Sequence, residues 1–288
     1  MRTILSIGVD AVAYGMVLFT ISIGLSVMMG LMRVVNLAHG AFAMIGGYLA
    51  SYALRGMGMS YPVAIVAAIA GTILISAPLE FLLYRRIYRK SDALTQLLMT
   101  IGIAFFIIGV ANFIFGPTLK PIPLPASLSG PLDIGFRMLP THRVFVIGCG
   151  GTVALALWYL LERTEFGVRL RAAVDDNDMA EALGIRTELI YSATFALAVG
   201  LGAFGGVIGA ELLPIEPFYA LRYMVVFLVV VSVGGAGSIF GAMSASLLLG
   251  LADTTGKYLA PEFGEFFFYL AVILIVFLFP NGLFGRAH

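Results

Sequence analysis

The chain has 288 residues, of which 60% are hydrophobic and 11% are charged, and its mean hydropathy is +1.02. An average soluble domain carries roughly 25% charged residues, so this composition excludes an ordinary soluble protein and predicts a polytopic helical membrane protein. A formal net charge of +1 gives no basis for binding nucleic acid, which needs clustered basic residues outside a membrane. The single cysteine, Cys149, has no neighbours at metal-ligand spacing, so no metal site is predicted.

Apolar runs follow one another along the whole chain. A spanning helix needs roughly 20 apolar residues, and eight or nine transmembrane helices are predicted in an all-α fold with a single domain, residues 1–288. Two runs are interrupted, at 33–40 and at 234–238, and such interruptions are typical of broken or re-entrant helices. The runs lie near residues 4–29, 32–55, 61–84, 93–115, 141–161, 188–213, 220–233, 239–256 and 264–280.

Two polar residues, Asn36 and His39, lie in the first interruption. They are three positions apart, on one helical face, and Gly40 follows them. Polar groups at membrane depth usually face a cavity or a partner helix. Two interpretations stay open. In one, Asn36, His39 and Gly40 line a translocation pathway near a broken helix end whose free N–H groups meet a polar solute. In the other, Asn36 and His39 only form hydrogen bonds between helices.

The positions of lysine and arginine predict which loops face the cytoplasm. Four basic residues lie within 85–90, directly after the third run, so this loop is expected inside. Alternation of the spans then places residues 162–188 and the C-terminus in the cytoplasm, and an odd number of spans leaves the N-terminus outside. Residues 116–140 hold six of the 12 prolines and predict an ordered extracytoplasmic loop that can meet a soluble partner.

The segment 162–188 holds 11 of the 33 charged residues. Charge concentrated in one loop of a membrane protein predicts a structured platform that faces something in water. Residues 166–173 are expected to form a helix, followed by a second helical turn over 178–183 that Gly184 ends. The residues suited to cap that second turn are Asp175, Asp176 and Asn177.

On this second turn Met179, Ala180 and Leu183 share one face, while Asp178 and Glu181 point elsewhere. The pattern predicts a small apolar ridge that docks into a groove on a soluble protein. The alternative that stays open is a loop that is merely solvated, because capped amphipathic turns are common.

The second interruption consists of Gly234, Gly235, Gly237 and Ser238 within GGAGS. Small residues either unwind a helix into a turn that faces the substrate or let helices pack closely, and a structural break near the pathway is favoured. A phosphate-binding loop has a lysine directly after its last glycine. Because GGAGSIFGA has none, this chain is not expected to hydrolyse ATP and is expected to bind no cofactor.

Charged residues within the apolar runs bear on two rival functions. Glu80, Asp253 and Lys257 lie near predicted span ends and are interpreted as reaching the membrane surface. An ion-coupled secondary transporter, the alternative function, normally has carboxylates in the middle of its spans. An intramembrane enzyme would need a nucleophile with a base or a metal cluster, and the motifs His-Glu-x-x-His and Gly-x-Ser-x-Gly are both absent.

Four segments, in this order, resemble the branched-chain amino acid ABC permeases of the LivH type. The likeness runs nearly from end to end, and this family also includes importers of urea, amides and aromatic acids, so it does not fix the solute. The segments are VNLAHGAFAMIGGYLA (35–50), GVRLRAAVDDNDMAEALGI (167–185), VGGAGSIFGAMSASLLLG (233–250) and PNGLFG (280–285).

The resemblance implies a multi-pass permease subunit of an importer in a bacterial inner membrane. Its expected partners are a second permease subunit, two cytoplasmic ATPase subunits that hold ATP and Mg, an extracytoplasmic solute-binding protein and membrane lipid. Residues 162–188 would contain the coupling helix, and ATP-driven closure of the ATPases would push on it and open the pathway alternately to each side. The residues expected to carry this coupling are Asp175, Asp176, Asn177, Asp178, Met179, Ala180, Leu183 and Gly184.

One departure from the family concerns the solute. Amino acid members often have a glutamate and a lysine at the positions that Ala41 and Val226 occupy here. If those charges help to handle a zwitterion, this permease carries a less charged or more apolar solute.

Overall fold

The computed structural model describes residues 2–85, 92–133, 138–280 and 282–284. Within these ranges it contains twelve α-helices and one small ribbon of two antiparallel strands, which confirms the all-α polytopic class. The helices are α1 Arg2–Leu31, α2 His39–Arg55, α3 Tyr61–Leu79, α4 Ala93–Phe115, α5 Ala126–Ser129, α6 Thr141–Arg163, α7 Glu165–Asp175, α8 Asn177–Ala182, α9 Thr187–Ile208, α10 Tyr219–Gly234, α11 Ile239–Leu259 and α12 Gly264–Leu278. The strands are β1 Pro131–Asp133 and β2 Met138–Pro140.

Each of the nine predicted apolar runs contains a helix, but these helices differ in length. Six helices, α1, α3, α4, α6, α9 and α11, are long and apolar enough to cross a membrane. The other three, α2, α10 and α12, have 17, 16 and 15 residues. At about 1.5 Å per residue they are shorter than a hydrocarbon core of roughly 30 Å. Because α2 and α10 each border one of the interruptions, the predicted broken helices are confirmed.

Helix α1 lies at the centre of the bundle. It is apolar on all sides, as a buried helix must be, and it packs against α6, α9, α10 and α11. Its side chains join a core that also contains Phe42 of α2, Phe195 of α9 and Phe227 of α10. By contrast, large apolar side chains of the outer helices are exposed, among them Leu74, Phe113, Leu155 and Phe277. Such an exterior suits lipid rather than water.

The bundle has two distinct ends. Helix α6 begins directly after the ribbon and ends directly before α7, and its 23 residues put these two features roughly 34 Å apart. We call the end that carries α7 and α8 the platform end, and the opposite one the loop end. The chain beyond α12 also lies at the platform end, where Leu283 N donates to Val233 O of α10 over 2.7 Å. Residues 86–90 and 285–288, which bear on the predicted orientation, lie outside the described residues.

Candidate functional site

The break between α1 and α2 covers residues 32–38. Helix α1 ends in a left-handed turn at Arg33, whose φ is 53°, and Val34 N donates back to Met28 O over 3.2 Å. Non-helical backbone at membrane depth needs partners inside the protein, and α4 supplies two of them. Gln96 Oε1 accepts from Val35 N over 3.2 Å, and Thr100 Oγ1 accepts from Leu37 N over 3.2 Å. The break is therefore a built structure, fixed from a neighbouring helix.

Asn36 lies at the middle of this break and is completely buried. Its Oδ1 accepts from Ala38 N over 3.0 Å and from the hydroxyl of Tyr84 over 2.7 Å, and its Nδ2 lies 3.4 Å from Met28 Sδ. The amide thus holds the turn that starts α2. In this conformation the contacts of Asn36 are those of the interhelical interpretation.

His39 begins α2 and lies where three helices meet. Its Nε2 is 2.8 Å from Ile21 O of α1, a carbonyl that accepts, so Nε2 carries a proton. A Cβ on Gly24 of α1 or Gly202 of α9 would lie 2.7 or 3.2 Å from its Cε1, so both glycines make room for the ring. The following Gly40 lies close to the backbone of Ala220 in α10. These close contacts pack His39 and Gly40 tightly inside the bundle.

The second break, between α10 and α11, uses its glycines for geometry. Gly235 and Gly237 have φ angles of 90° and 83°, which only glycine adopts without strain. Ser238 Oγ accepts from Gly241 N over 3.0 Å and so caps α11. A Cβ on Gly241 would lie 2.0 Å from Gly234 O. The GGAGS segment therefore stops α10 and lets α11 start in direct contact with it, while a turn that faces the substrate stays a prediction.

The GGAGS segment also contacts the end of α1. Gly237 N donates to Ser26 Oγ over 3.0 Å, and a Cβ on Gly30 would lie 2.1 Å from Gly237 Cα. The second break thus lies against the end of α1, directly before the first break, and the two backbones are in contact.

The platform follows the predicted pattern of helix, turn, short helix and glycine stop. Asp176 Oδ1 accepts from Met179 N over 2.9 Å, so Asp176 is the cap of α8 among the three candidates. Gly184 has a φ of 85° and ends the turn. Met179 and Leu183 are 58% and 75% exposed. The predicted ridge is wrong in one respect, because Ala180 is only 2% exposed and packs inward, where its small side chain lets α8 lie close to the protein.

Three contacts attach the platform to the bundle. Arg171 donates to Leu161 O of α6 over 2.7 Å, and the hydroxyl of Tyr191 in α9 donates to Ala173 O over 2.7 Å. A Cβ on Gly167 would lie 1.9 Å from Leu161 O, so α7 rests directly on the end of α6. These contacts fix α7 to both α6 and α9.

A cleft of about 880 Å³ lies between the platform and the two breaks. The residues that line it include Arg33, Trp158, Asp175, Ser238 and Phe284. The structure therefore brings Gly235, Gly237 and Ser238 together with Asp175 around one opening. It does not bring Asn36, His39 and Gly40 there, since all three are buried inside the bundle. Within the described ranges, no group of three or more His, Cys, Asp and Glu side chains comes together to hold a metal ion.

The sequence interpretation missed a polar network at the end of α3. A π-helical turn, Glu80–Tyr84, follows Pro78 there, and Glu80 is only 6% exposed. Glu80 Oε1 accepts from Ser192 Oγ over 2.8 Å and lies 3.4 Å from Arg85 Nε. The interpretation that Glu80 reaches the membrane surface is therefore wrong. The sequence does contain a signal of this network. A proline interrupts an apolar helix, and a glutamate and an arginine five positions apart follow it.

The same correction applies to Asp253 in α11. Its side chain is 9% exposed and its Oδ2 lies 2.6 Å from Lys257 Nζ, so the carboxylate is neutralised inside the protein. Only Lys257, which is about half exposed, extends toward the surface as predicted.

A membrane-spanning bundle with two broken helices and a charged helical platform at one end is a multi-pass membrane permease in its architecture. The comparison with known families agrees: residues 8–277 match the family described as branched-chain amino acid transport system / permease component, and the chain belongs to it. The high-affinity branched-chain amino acid transport system permease protein LivH of Escherichia coli K12 is 29% identical over 96% of this chain and 94% of its own length. BraD of Pseudomonas aeruginosa, with the same description, is 27% identical over the same shares.

A more distant relative has a different solute in its name. The autoinducer 2 import system permease protein LsrC of Salmonella paratyphi B is 27% identical over 46% of this chain and 39% of its own length. The names of the proteins similar to this chain therefore mention different solutes.

Proposed function

We propose that this chain is the transmembrane permease subunit of an ATP-driven importer in a bacterial inner membrane. It works with a second permease subunit, two cytoplasmic ATPase subunits and an extracytoplasmic solute-binding protein, and its domain occupies the whole chain. Membership of the permease family supports this proposal. The observation that carries it is the platform, a capped helical unit that exposes Met179 and Leu183 to a partner while it is fixed to α6 and α9.

In this proposal α7 and α8 receive the movement of the ATPases. Closure of the ATPase dimer pushes on residues 175–184, and the contacts of Arg171 and Tyr191 pass the displacement to α6 and α9. Because packed helices move as rigid units, the displacement tilts whole spans and opens the route alternately to each side of the membrane. ATP and Mg bind to the ATPase subunits, and the permease itself is not an enzyme.

The solute route is proposed to pass the two breaks. Gly235, Gly237 and Ser238 already border the cleft at the platform end. Asn36, His39 and Gly40, with Gly234, are enclosed here and meet the route in another conformation of the transport cycle. Non-helical backbone next to a cavity suits such a role, because it offers polar groups to a solute that a continuous helix would keep paired.

The solute class follows from two positions. Small polar or amphipathic solutes fit the names of the relatives, which mention branched-chain amino acids and autoinducer 2. Because alanine and valine are uncharged, Ala41 and Val226 supply no charge to a zwitterion at the two positions where amino acid members often have a glutamate and a lysine. We expect uptake assays in proteoliposomes to favour amides or aromatic and organic acids over leucine. Robust transport of leucine would contradict this part of the proposal.

The rival function, an ion-coupled secondary transporter, gains no support from the buried carboxylates. Glu80 lies beside Arg85, and Asp253 pairs with Lys257. A carboxylate that carries protons or sodium has to exchange its partner during transport. Glu80 and Asp253 are instead each paired with a basic residue four or five positions further along the same stretch of chain.

The test is capture of the ATPase by the detergent-solubilised chain, co-expressed with the products of its neighbouring genes. We expect Met179→Asp or Leu183→Asp to abolish capture, because each puts a charge on the exposed apolar part of the platform. Met138→Asp is the matched control, since Met138 is 65% exposed at the loop end and should leave capture unchanged. Transport by the isolated native chain, without any ATPase, would overturn the proposal.

A further inference from the structure

The π-helical turn Glu80–Tyr84 is hydrogen-bonded both to α9, the helix that follows the platform, and to the break between α1 and α2. A π-turn is rare and usually occurs where a helix has a functional task. Here it continues α3 after Pro78, at the platform end. Its first residue, Glu80, and its last residue, Tyr84, are both buried, and each is hydrogen-bonded to a different element.

Glu80 faces α9, the helix that begins directly after the platform. Its carboxylate accepts from Ser192 Oγ over 2.8 Å, and Arg85 donates to Ser192 Oγ and to Glu188 Oε2 over 3.3 and 3.4 Å. The same helix is tied to α8, because Thr187 Oγ1 donates to Glu181 Oε1 over 2.5 Å. A displacement of α8 is therefore passed through α9 to the π-turn.

Tyr84 faces the break between α1 and α2. Its hydroxyl donates to Asn36 Oδ1 over 2.7 Å, and its ring lies 4.7 Å from that of Phe195. Both Tyr84 and Asn36 are completely buried. A hydrogen bond is stronger in such a medium of low polarity than in water, and separating its partners takes this acceptor away from the buried Tyr84 hydroxyl. The break and the π-turn therefore move together.

We infer that the π-turn is the connection through which the platform controls the α1–α2 break, with Tyr84 and Ser192 as positioning residues. The inference rests on the proposed function and names the internal route of its movement. The connected contacts run from Glu181 through Thr187, Ser192, Glu80 and Tyr84 to Asn36. Removing a contact in this series should uncouple transport from ATP hydrolysis. The complex should stay assembled.

The experiment uses the full complex in proteoliposomes and measures ATP hydrolysis and solute uptake together. We expect Tyr84→Phe to keep hydrolysis within about twofold and to lower the uptake per ATP by about three- to tenfold, the size expected for one buried hydrogen bond. Tyr219→Phe is the matched control, because Tyr219 is equally buried and its hydroxyl has no hydrogen-bond partner among the described residues. It should leave the ratio unchanged.

Two further variants distinguish a connection from a merely stabilising contact. Ser192→Ala should lower the ratio as Tyr84→Phe does, and Ser192→Thr, which keeps the hydroxyl, should restore it. The double variant Tyr84→Phe with Ser192→Ala should lower the uptake per ATP no further than either single variant does, because both changes interrupt the same series of contacts. Additive effects of the two changes would overturn the inference. So would an unchanged ratio, or a parallel loss of hydrolysis and uptake together with a lower Tm.

Measurements on the native complex distinguish a failure of this inference from a failure of the proposed function. If the native complex does not couple uptake to ATP hydrolysis, the importer proposal fails. If it does and Tyr84→Phe leaves the ratio intact, only the role of the π-turn fails.

Discussion

Gly30 and Gly148 are both glycines inside long helices, yet their surroundings differ completely. A Cβ on Gly30 would lie 2.1 Å from Gly237 Cα, whereas a Cβ on Gly148 would meet nothing within 4 Å. At the residue scale, then, glycine either permits the contact between α1 and the GGAGS segment, as Gly30 does, or is merely tolerated, as Gly148 is. Their neighbours in the sequence do not distinguish the two cases.

The first prediction follows from this pair. Gly30→Ala forces α1 away from the GGAGS segment, and we expect it to destabilise the protein by about 1–3 kcal/mol or more, as overpacking does. Gly148→Ala should be neutral or stabilising by up to about 1 kcal/mol, because alanine favours a helix. Thermal unfolding in detergent measures both. An equal effect of the two substitutions would contradict the close contact.

The second prediction concerns Asp176, the cap of α8. Asp176→Ala removes the acceptor of Met179 N and should destabilise α8 by about 0.5–2 kcal/mol, while Asp176→Asn keeps an acceptor and should stay close to the native protein. Hydrogen exchange of the amides in 177–182 is the measurement. If the amides of 177–182 exchange equally fast in both variants, Asp176 stabilises α8 through its charge and not as a cap.

At the element scale, the position of the break 32–38 could be predicted from the sequence, but its partners could not. The positions of both breaks and of the platform helices were predictable, because glycine, asparagine and aspartate interrupt helices for local reasons. The partners of the break were not, since Gln96 and Thr100 lie more than 60 residues away. Asn36 looked available for a solute because the sequence gives no sign of Tyr84 as its partner.

The third prediction tests that element. Thr100→Val keeps the shape of the side chain but leaves Leu37 N without its acceptor in the interior, which should cost about 1–3 kcal/mol. Thr152→Val is the control, because Thr152 is exposed and its hydroxyl donates to Gly148 O within the same helix. We expect a lower Tm for the first variant alone. A native Tm for Thr100→Val would mean that the break is held by other contacts.

At the scale of the whole molecule, the two ends of the bundle carry different features. The platform end carries α7, α8 and the cleft, and the loop end carries the ribbon. Met179 and Met138 are exposed at these opposite ends. If the platform faces the ATPases, Met179 is cytoplasmic and Met138 is outside.

The fourth prediction uses those two residues as reporters. In a chain with Cys149→Ala, an impermeant thiol reagent should label Met138→Cys in intact cells and Met179→Cys only in inside-out vesicles. Labelling of both cysteines from one side would contradict the placement of the two ends. The reverse pattern would keep the fold and overturn the proposed orientation.

The sequence by itself determined that this protein is a helical membrane protein with two interruptions and one charged platform, because hydropathy, helix caps and glycine stops act over a few neighbouring residues. Only the tertiary structure decided which polar residues are engaged. Asn36 with Tyr84, Glu80 with Ser192, and Gly30 against Gly237 meet across 48, 112 and more than 200 residues of chain. Whether a polar group in a membrane is expensive or satisfied depends on such distant partners, since lipid supplies no hydrogen bonds of its own.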